Sequence, residues 1–100
     1  MRLEFHPHAL VEFKDAAHYY EERQSRLGIR FYASVEATLQ KIAEAPMRWP
    51  ILEQDIRRCL TRVFPYAVLY TVEPEYVLVV AIMHCHQKPG YWRTRIQPGN

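Results

Sequence analysis

A helical hairpin laid on an antiparallel sheet, an α+β domain of element order β-α-α-β-β-β, is predicted by three features of this 100-residue sequence. Apolar residues recur at helical spacing in two consecutive N-terminal segments. The second half is dense in β-branched and aromatic residues. Glycines and prolines stand between these blocks rather than inside them, so helices come first and strands follow.

The elements follow in order. Arg2–Phe5 alternates apolar and polar residues and is a candidate first strand. His6-Pro7 stops it, and Pro7 suits the first turn of a helix, where its missing N–H costs nothing. Leu10, Phe13, Ala17 and Tyr20 then form one apolar stripe on a helix from about Pro7 to Arg23, with Glu12, Lys14, Asp15, Glu21 and Glu22 on its polar side. Leu27-Gly28 is the expected break, since glycine takes the left-handed conformation that ends helices. A second stripe of Phe31, Val35, Leu39 and Ile42 predicts a helix from about Ile29 to Glu44, stopped by Pro46. Helices joined so tightly pack as an antiparallel hairpin, and neither buries its stripe without a sheet.

Met47-Arg48-Trp49-Pro50 reads as a connection. Ile56–Val63 reads as a strand with a wet face, closed by Pro65. Tyr66–Val72 is free of breakers, Glu73-Pro74-Glu75 makes a tight turn, and Tyr76–His84 is nearly unbroken apolar sequence. Such a run suits a central strand covered on one face by helices and partly on the other. Pro89-Gly90 ends it, Tyr91–Arg95 suits a turn of helix, and a frayed end is expected from Pro98 onward.

Composition narrows the class. At 49% hydrophobic and 24% charged, the chain has an ordinary globular balance, and its length leaves room for one domain, residues 1–100. No apolar run approaches the roughly 20 residues of a membrane span. The opening lacks an apolar signal core, so a cytoplasmic protein without membrane partners is expected. Cys59 and Cys85 have neither CxxC spacing nor a disulfide framework. The formal charge of +2 conceals an uneven split: residues 1–54 sum to −1 and residues 55–100 to +3. Arg57, Arg58, Arg62, Lys88, Arg93 and Arg95 supply the excess, which suits an acidic protein partner or a phosphate backbone, or simply solvates a sheet edge.

Several runs in order are similar to the RelE/ParE toxin superfamily, over about residues 3 to 95. They are Phe5-His6-Pro7-His8-Ala9; Ala16-Ala17-His18-Tyr19-Tyr20-Glu21; Gly28, Phe31, Val35 and Glu36; Pro46 and Trp49-Pro50; Ile56-Arg57-Arg58; Phe64-Pro65-Tyr66 and Tyr70; Ala81-Ile82-Met83-His84; and Pro89-Gly90-Tyr91-Trp92 with Arg95. The resemblance implies a cytoplasmic toxin of a type II toxin–antitoxin system, neutralised by a cognate antitoxin. RelE-like relatives are messenger-RNA endonucleases acting in the translating ribosome, and ParE-like relatives poison DNA gyrase without known catalytic chemistry. The Pro-Gly-Tyr-Trp ending resembles the ParE-like, plasmid-stabilisation group. One departure is the stretch Cys85-His86-Gln87-Lys88, where relatives usually carry a basic cluster and only Lys88 is permanently charged here.

A nuclease of this kind needs a base, an acid and positive charge on the phosphorane, and the RNA 2′-hydroxyl is its own nucleophile, so neither cofactor nor metal is expected. Arg58 and Arg62, at i and i+4 on one strand, share a face. His84 is the titratable candidate, and Tyr91 resembles by position the C-terminal tyrosine of RelE-like nucleases. Arg57, Lys88, Trp92, Arg93 and Arg95 are then binding candidates. Structural roles compete: the arginines as solvated or antitoxin-holding groups, His84 as a hydrogen-bonder, Tyr91 and Trp92 as core-edge packing, and Tyr19-Tyr20 as helix–sheet packing. His6-Pro7-His8 and His84-Cys85-His86 lack the ligand spacing of a zinc site. The two functions left standing are a gyrase-binding toxin, which the thinned basic cluster favours, and a ribosome-dependent messenger-RNA nuclease.

Overall fold

The computed structural model describes residues 1–96; the expected fraying from Pro98 onward lies outside them. Strand β1 (Arg2–Phe5) leads into helix α1 (Pro7–Arg23), which turns within three residues into α2 (Leu27–Glu44). Four strands follow: β2 (Ile51–Glu53), β3 (Ile56–Leu60), β4 (Tyr66–Val72) and β5 (Tyr76–His84), and then a short 3-10 turn at Arg93–Arg95. The sheet order is β1-β5-β4-β3-β2. The expected helical hairpin on a sheet is present, with β5 and β4 at its centre. Two features refine it. The sheet is mixed, because β1 pairs parallel to β5 while the other three pairings are antiparallel. The extra strand β2 comes from a segment adjoining the proline-punctuated connection; it is three residues long, and Ile51 and Glu53 are paired across an irregular register.

Each helix start has a local cause. Pro7 occupies the first turn of α1, and His6 Nδ1 accepts the His8 N–H at 3.1 Å, capping a free donor. The start of α2 is capped from outside: the Glu21 carboxylate of α1 accepts the N–H groups of Arg26 and Gly28, each at 3.0 Å. The left-handed residue between the helices is Arg26, at φ 73°, not Gly28. Gly28 lies within α2 and serves close approach instead. A methyl group there would stand 2.5 Å from the Ala17 carbonyl oxygen and 2.8 Å from Glu21 Cβ. Gly28→Ala is therefore expected to force the helices apart and cost about 1–3 kcal/mol, read as a lowered urea midpoint. An unchanged midpoint would mean that the hairpin is not closely packed at that crossing.

The α2 stripe is buried as expected: Phe31, Val35, Leu39 and Ile42. The α1 stripe is displaced. Ala9, Phe13 and Ala16 are its buried residues, Ala17 and Tyr20 are partly buried, and Leu10 stays exposed. Small alanines let α1 sit close to the sheet, which rotates Leu10 out to a rim. Tyr20, Phe31, Phe64 and Tyr66 make an aromatic contact between hairpin and sheet, with Tyr20–Phe64 and Phe31–Tyr66 centroids 4.9 Å apart. Burial there pushes the Tyr66 hydroxyl up to about 12. Tyr19, by contrast, is exposed beneath the Arg23 guanidinium.

The second face of the sheet has its own core of Ile56, Ala67, Leu69, Val80, Ala81 and Trp92, with Tyr91 and Ile96 packed on it. A bulge in β5 makes this possible: Leu69 pairs with Ala81 and Tyr70 with Val79, so Val80 is an extra residue. Val80 and Ala81 consequently both turn toward the C-terminal segment.

Candidate functional site

The expected site residues lie in three places: that C-terminal segment, the end of β5 and the β3–β4 region. Strand β1 ends at Phe5, opposite Val79, leaving the rest of the β5 edge without a strand partner. Glu12 of α1 fills the gap. Its carboxylate accepts the Ile82 N–H at 3.0 Å, the Tyr91 hydroxyl at 2.7 Å and the Arg95 guanidinium at 3.0 and 2.8 Å. Arg95 in turn donates to the Val80 carbonyl at 3.0 Å. The pair is mostly withdrawn from water, with side-chain exposures of 11% for Arg95 and 22% for Glu12. A carboxylate and a guanidinium thus stand in for a missing strand and tie the C-terminal segment to α1. Although Glu12 reads as part of the polar side of α1, it faces the sheet edge.

This arrangement spreads the expected catalytic set apart. The Tyr91 hydroxyl is committed to Glu12, and burial, followed by that hydrogen bond, raises its pKa well above the ordinary tyrosine value. The His84 ring lies edge-on against Tyr66, 5.0 Å between centroids, on the helix side of the sheet. Its Nδ1 accepts the His86 N–H at 3.0 Å. Tyr91 packs on the opposite face. Arg58 and Arg62 do not share a strand: β3 ends at Leu60, and Arg62 stands in the turn leading to β4. The i, i+4 expectation fails because the chain leaves the ladder before completing it.

The basic excess is likewise divided. Arg57 spans the connection after α2, donating to the carbonyls of Met47 at 3.1 Å and Trp49 at 2.6 Å. Arg93 forms a two-pronged pair with Glu53 at 2.8 and 2.9 Å. Arg95 belongs to Glu12, and Trp92 is 1% exposed, a core residue of the second face. Arg58, Arg62 and Lys88 remain as exposed cations. Cys59 is buried, Cys85 is exposed, and both are free thiols. Among the described residues, no three histidine, cysteine or acidic side chains come together to hold a metal ion. No helix among them is long and apolar enough to cross a membrane.

The feature least visible in the sequence is an open groove between α1, α2 and β1, about 470 Å³ in volume. Phe5 and Phe13 line it, and exposed Leu10, Ile29 and Tyr32 give it apolar walls. Lys14, His18, Glu21 and Glu36 contribute polar groups to its lining. Ile29 and Tyr32 are the signal that could have located it: both are large apolar residues lying off the buried α2 stripe.

The fold is one found in toxin–antitoxin systems. It is similar to a solved structure described as the chromosomal ParDE toxin–antitoxin system from P. aeruginosa, with a TM-score of 0.75 and 10% identity, covering 84% of this chain and 95% of that one. No curated protein matches the sequence. The family model described as the ParE toxin of the type II toxin–antitoxin system, parDE, matches residues 3–89. The chain belongs to the ParE toxin family.

Proposed function

We propose that this toxin acts in the cytoplasm by binding DNA gyrase, without breaking a bond itself, and that a cognate antitoxin neutralises it. The observation carrying the first part is the dispersal of the nuclease set. The Tyr91 hydroxyl is held by Glu12, His84 lies across the sheet from it, and Arg62 is off the strand that carries Arg58. General acid–base cleavage requires such groups to converge within hydrogen-bond reach of one phosphate. A binding toxin requires only a surface. Purified gyrase with this protein is expected to lose supercoiling activity, while messages in a reconstituted translation reaction stay intact. Cuts inside codons, appearing only on translating ribosomes and with supercoiling untouched, would replace this reading with the nuclease.

The antitoxin reading is supported by the groove between the helices and β1. Its apolar walls suit the apolar face of an amphipathic helix, laid in with large side chains as anchors. The double variant Ile29→Asp/Tyr32→Asp is expected to weaken antitoxin binding by about a hundredfold or more, because two central apolar contacts become desolvated carboxylates. Ile29 is exposed, and Tyr32 is half-exposed but stacks on Phe13 at 4.8 Å, so the free toxin should stay folded with a modest drop in its melting temperature. Undiminished binding by a folded double variant would place the antitoxin elsewhere.

A further inference from the structure

A second surface, on the other flank of α2, is built from cations. Two adjoining hollows of about 300 and 350 Å³ share Thr38 and Lys41 and form one trough between α2 and the β3–β4 segment. Lys41 and Arg58 line one hollow, Arg30, Lys41 and Arg62 the other, and no acidic residue lines either. All four cations are exposed. Elsewhere most arginines are engaged. Arg2 pairs with Glu4, Arg93 with Glu53 and Arg95 with Glu12, Arg57 braces two carbonyls, and Arg23 and Arg48 lie over aromatic rings. Among the described residues, Arg30, Lys41, Arg58 and Arg62 form no ion pair. Like charges gathered along one trough repel one another and attract a polyanion.

Firm supports hold these charges. Arg30 and Lys41 stand on one helix, about 16 Å apart along its axis. Between them α2 contributes Ala33, Ser34, Ala37 and Thr38 to the trough, short side chains that let a ligand lie close to the helix. Arg62 lies across from Arg30, in a turn that is tied down. Ser34 Oγ donates to the Arg62 carbonyl at 2.6 Å, Thr61 Oγ1 donates to the Phe64 carbonyl at 2.9 Å, and Val63 is fixed at φ 75°. That backbone is strained for a β-branched residue, and it persists only where its surroundings enforce it. The wall also offers donors more than acceptors, since the Leu60 and Arg62 carbonyls already accept from Cys59 Sγ and Ser34 Oγ.

We propose that this trough binds the sugar–phosphate backbone of duplex DNA, one phosphate ridge lying along α2 with Arg30, Lys41, Arg58 and Arg62 against its oxygens. Phosphates of one strand follow at about 3.4 Å of axial rise, so about 16 Å of trough faces roughly five of them. Guanidinium groups suit phosphate, which they meet with two parallel N–H donors. A DNA backbone brings acceptors alone, which matches a wall of donors better than a polypeptide with its N–H groups or an RNA with its hydroxyls. A single strand fits poorly, because it is held by free aromatic rings on which bases stack. The two rings lining the trough are occupied: Phe64 packs against Tyr20 and Phe31, and Trp49 lies beneath Arg48. Phosphate contacts carry no sequence information, so binding is expected to be indifferent to sequence. Contact with DNA does not require gyrase, and the test contains none.

The test is fluorescence anisotropy of a short labelled duplex of mixed sequence, titrated with the full chain at several salt concentrations. Affinity is expected to fall as salt rises, with a log–log slope between about −3 and −4 for four phosphate contacts. Arg30→Gln/Arg62→Gln, at two exposed positions, should weaken binding by roughly tenfold or more and bring the slope to between about −1 and −2. Lys14→Gln/Lys88→Gln removes the same charge from exposed positions outside the trough and should leave both quantities nearly unchanged. No binding at low salt, or an equal loss in the two double variants, would overturn the proposal. So would tighter binding of single-stranded oligothymidylate or duplex RNA, or stronger displacement by polyglutamate than by unlabelled duplex at matched charge.

Discussion

Glu12→Ala is expected to destabilise this toxin by about 3–5 kcal/mol, because it leaves a largely buried guanidinium without its counter-ion. The same change removes the acceptor of the Ile82 N–H and of the Tyr91 hydroxyl. Three donors, one on β5 and two on the C-terminal segment, lose one carboxylate, and each buried donor left unpaired carries its own desolvation cost. An exposed ion pair such as Arg2–Glu4 predicts a far smaller effect, since water replaces either partner. The urea midpoint of Glu12→Ala, measured beside that of Glu12→Ala/Arg95→Met, tests the mechanism directly. The double variant should regain part of the loss, because the stranded charge is gone and a methionine stem still covers the sheet edge. A loss below about 1 kcal/mol in the single variant would reduce the network to a surface pair.

Helix α2 was legible because Phe31, Val35, Leu39 and Ile42 repeat at helical spacing and all are buried. Helix α1 was legible in extent but not in rotation. Alanines bury as readily as leucines when a neighbour comes close, so the pattern could not choose Ala9 and Ala16 over Leu10. Strand β5 announced its central place by an unbroken apolar run. Its parallel neighbour β1 did not, since that pairing joins residues more than seventy positions apart and leaves no local trace. Strand β2 was hidden for another reason: a strand of three residues beside Pro50 carries too little periodicity to register. At the candidate site, residue types were a poor guide to roles. Arg57 and Arg95 look like binding cations in the sequence, but one braces carbonyls and the other completes a strand edge. Glu12 was read as polar surface because nothing in a helical repeat reveals that a carboxylate meets the end of a sheet.

That exchange of roles is sharpest at Trp92, which sequence pattern presents as a binding aromatic next to two arginines. Trp92→Ala is expected to cost about 3–5 kcal/mol, the range for emptying a buried large aromatic site. Its ring is the largest fully buried side chain, enclosed by Ile56, Ala67, Leu69, Val80 and Ala81, so its loss opens the second face of β4 and β5. The two roles separate in one pair of measurements, thermal unfolding and, on the gyrase reading proposed above, inhibition of supercoiling, made on Trp92→Ala and Trp92→Phe. A target contact would show as a protein with unchanged melting and no inhibition, in both variants. A core residue shows as melting and inhibition falling together, with phenylalanine recovering much of each because most of the buried ring area returns. The second pattern is expected. It would mean that lesions at the C-terminal end of this toxin disarm it by uncovering the sheet, and that the surface it presents to its target must be sought on residues the fold leaves free.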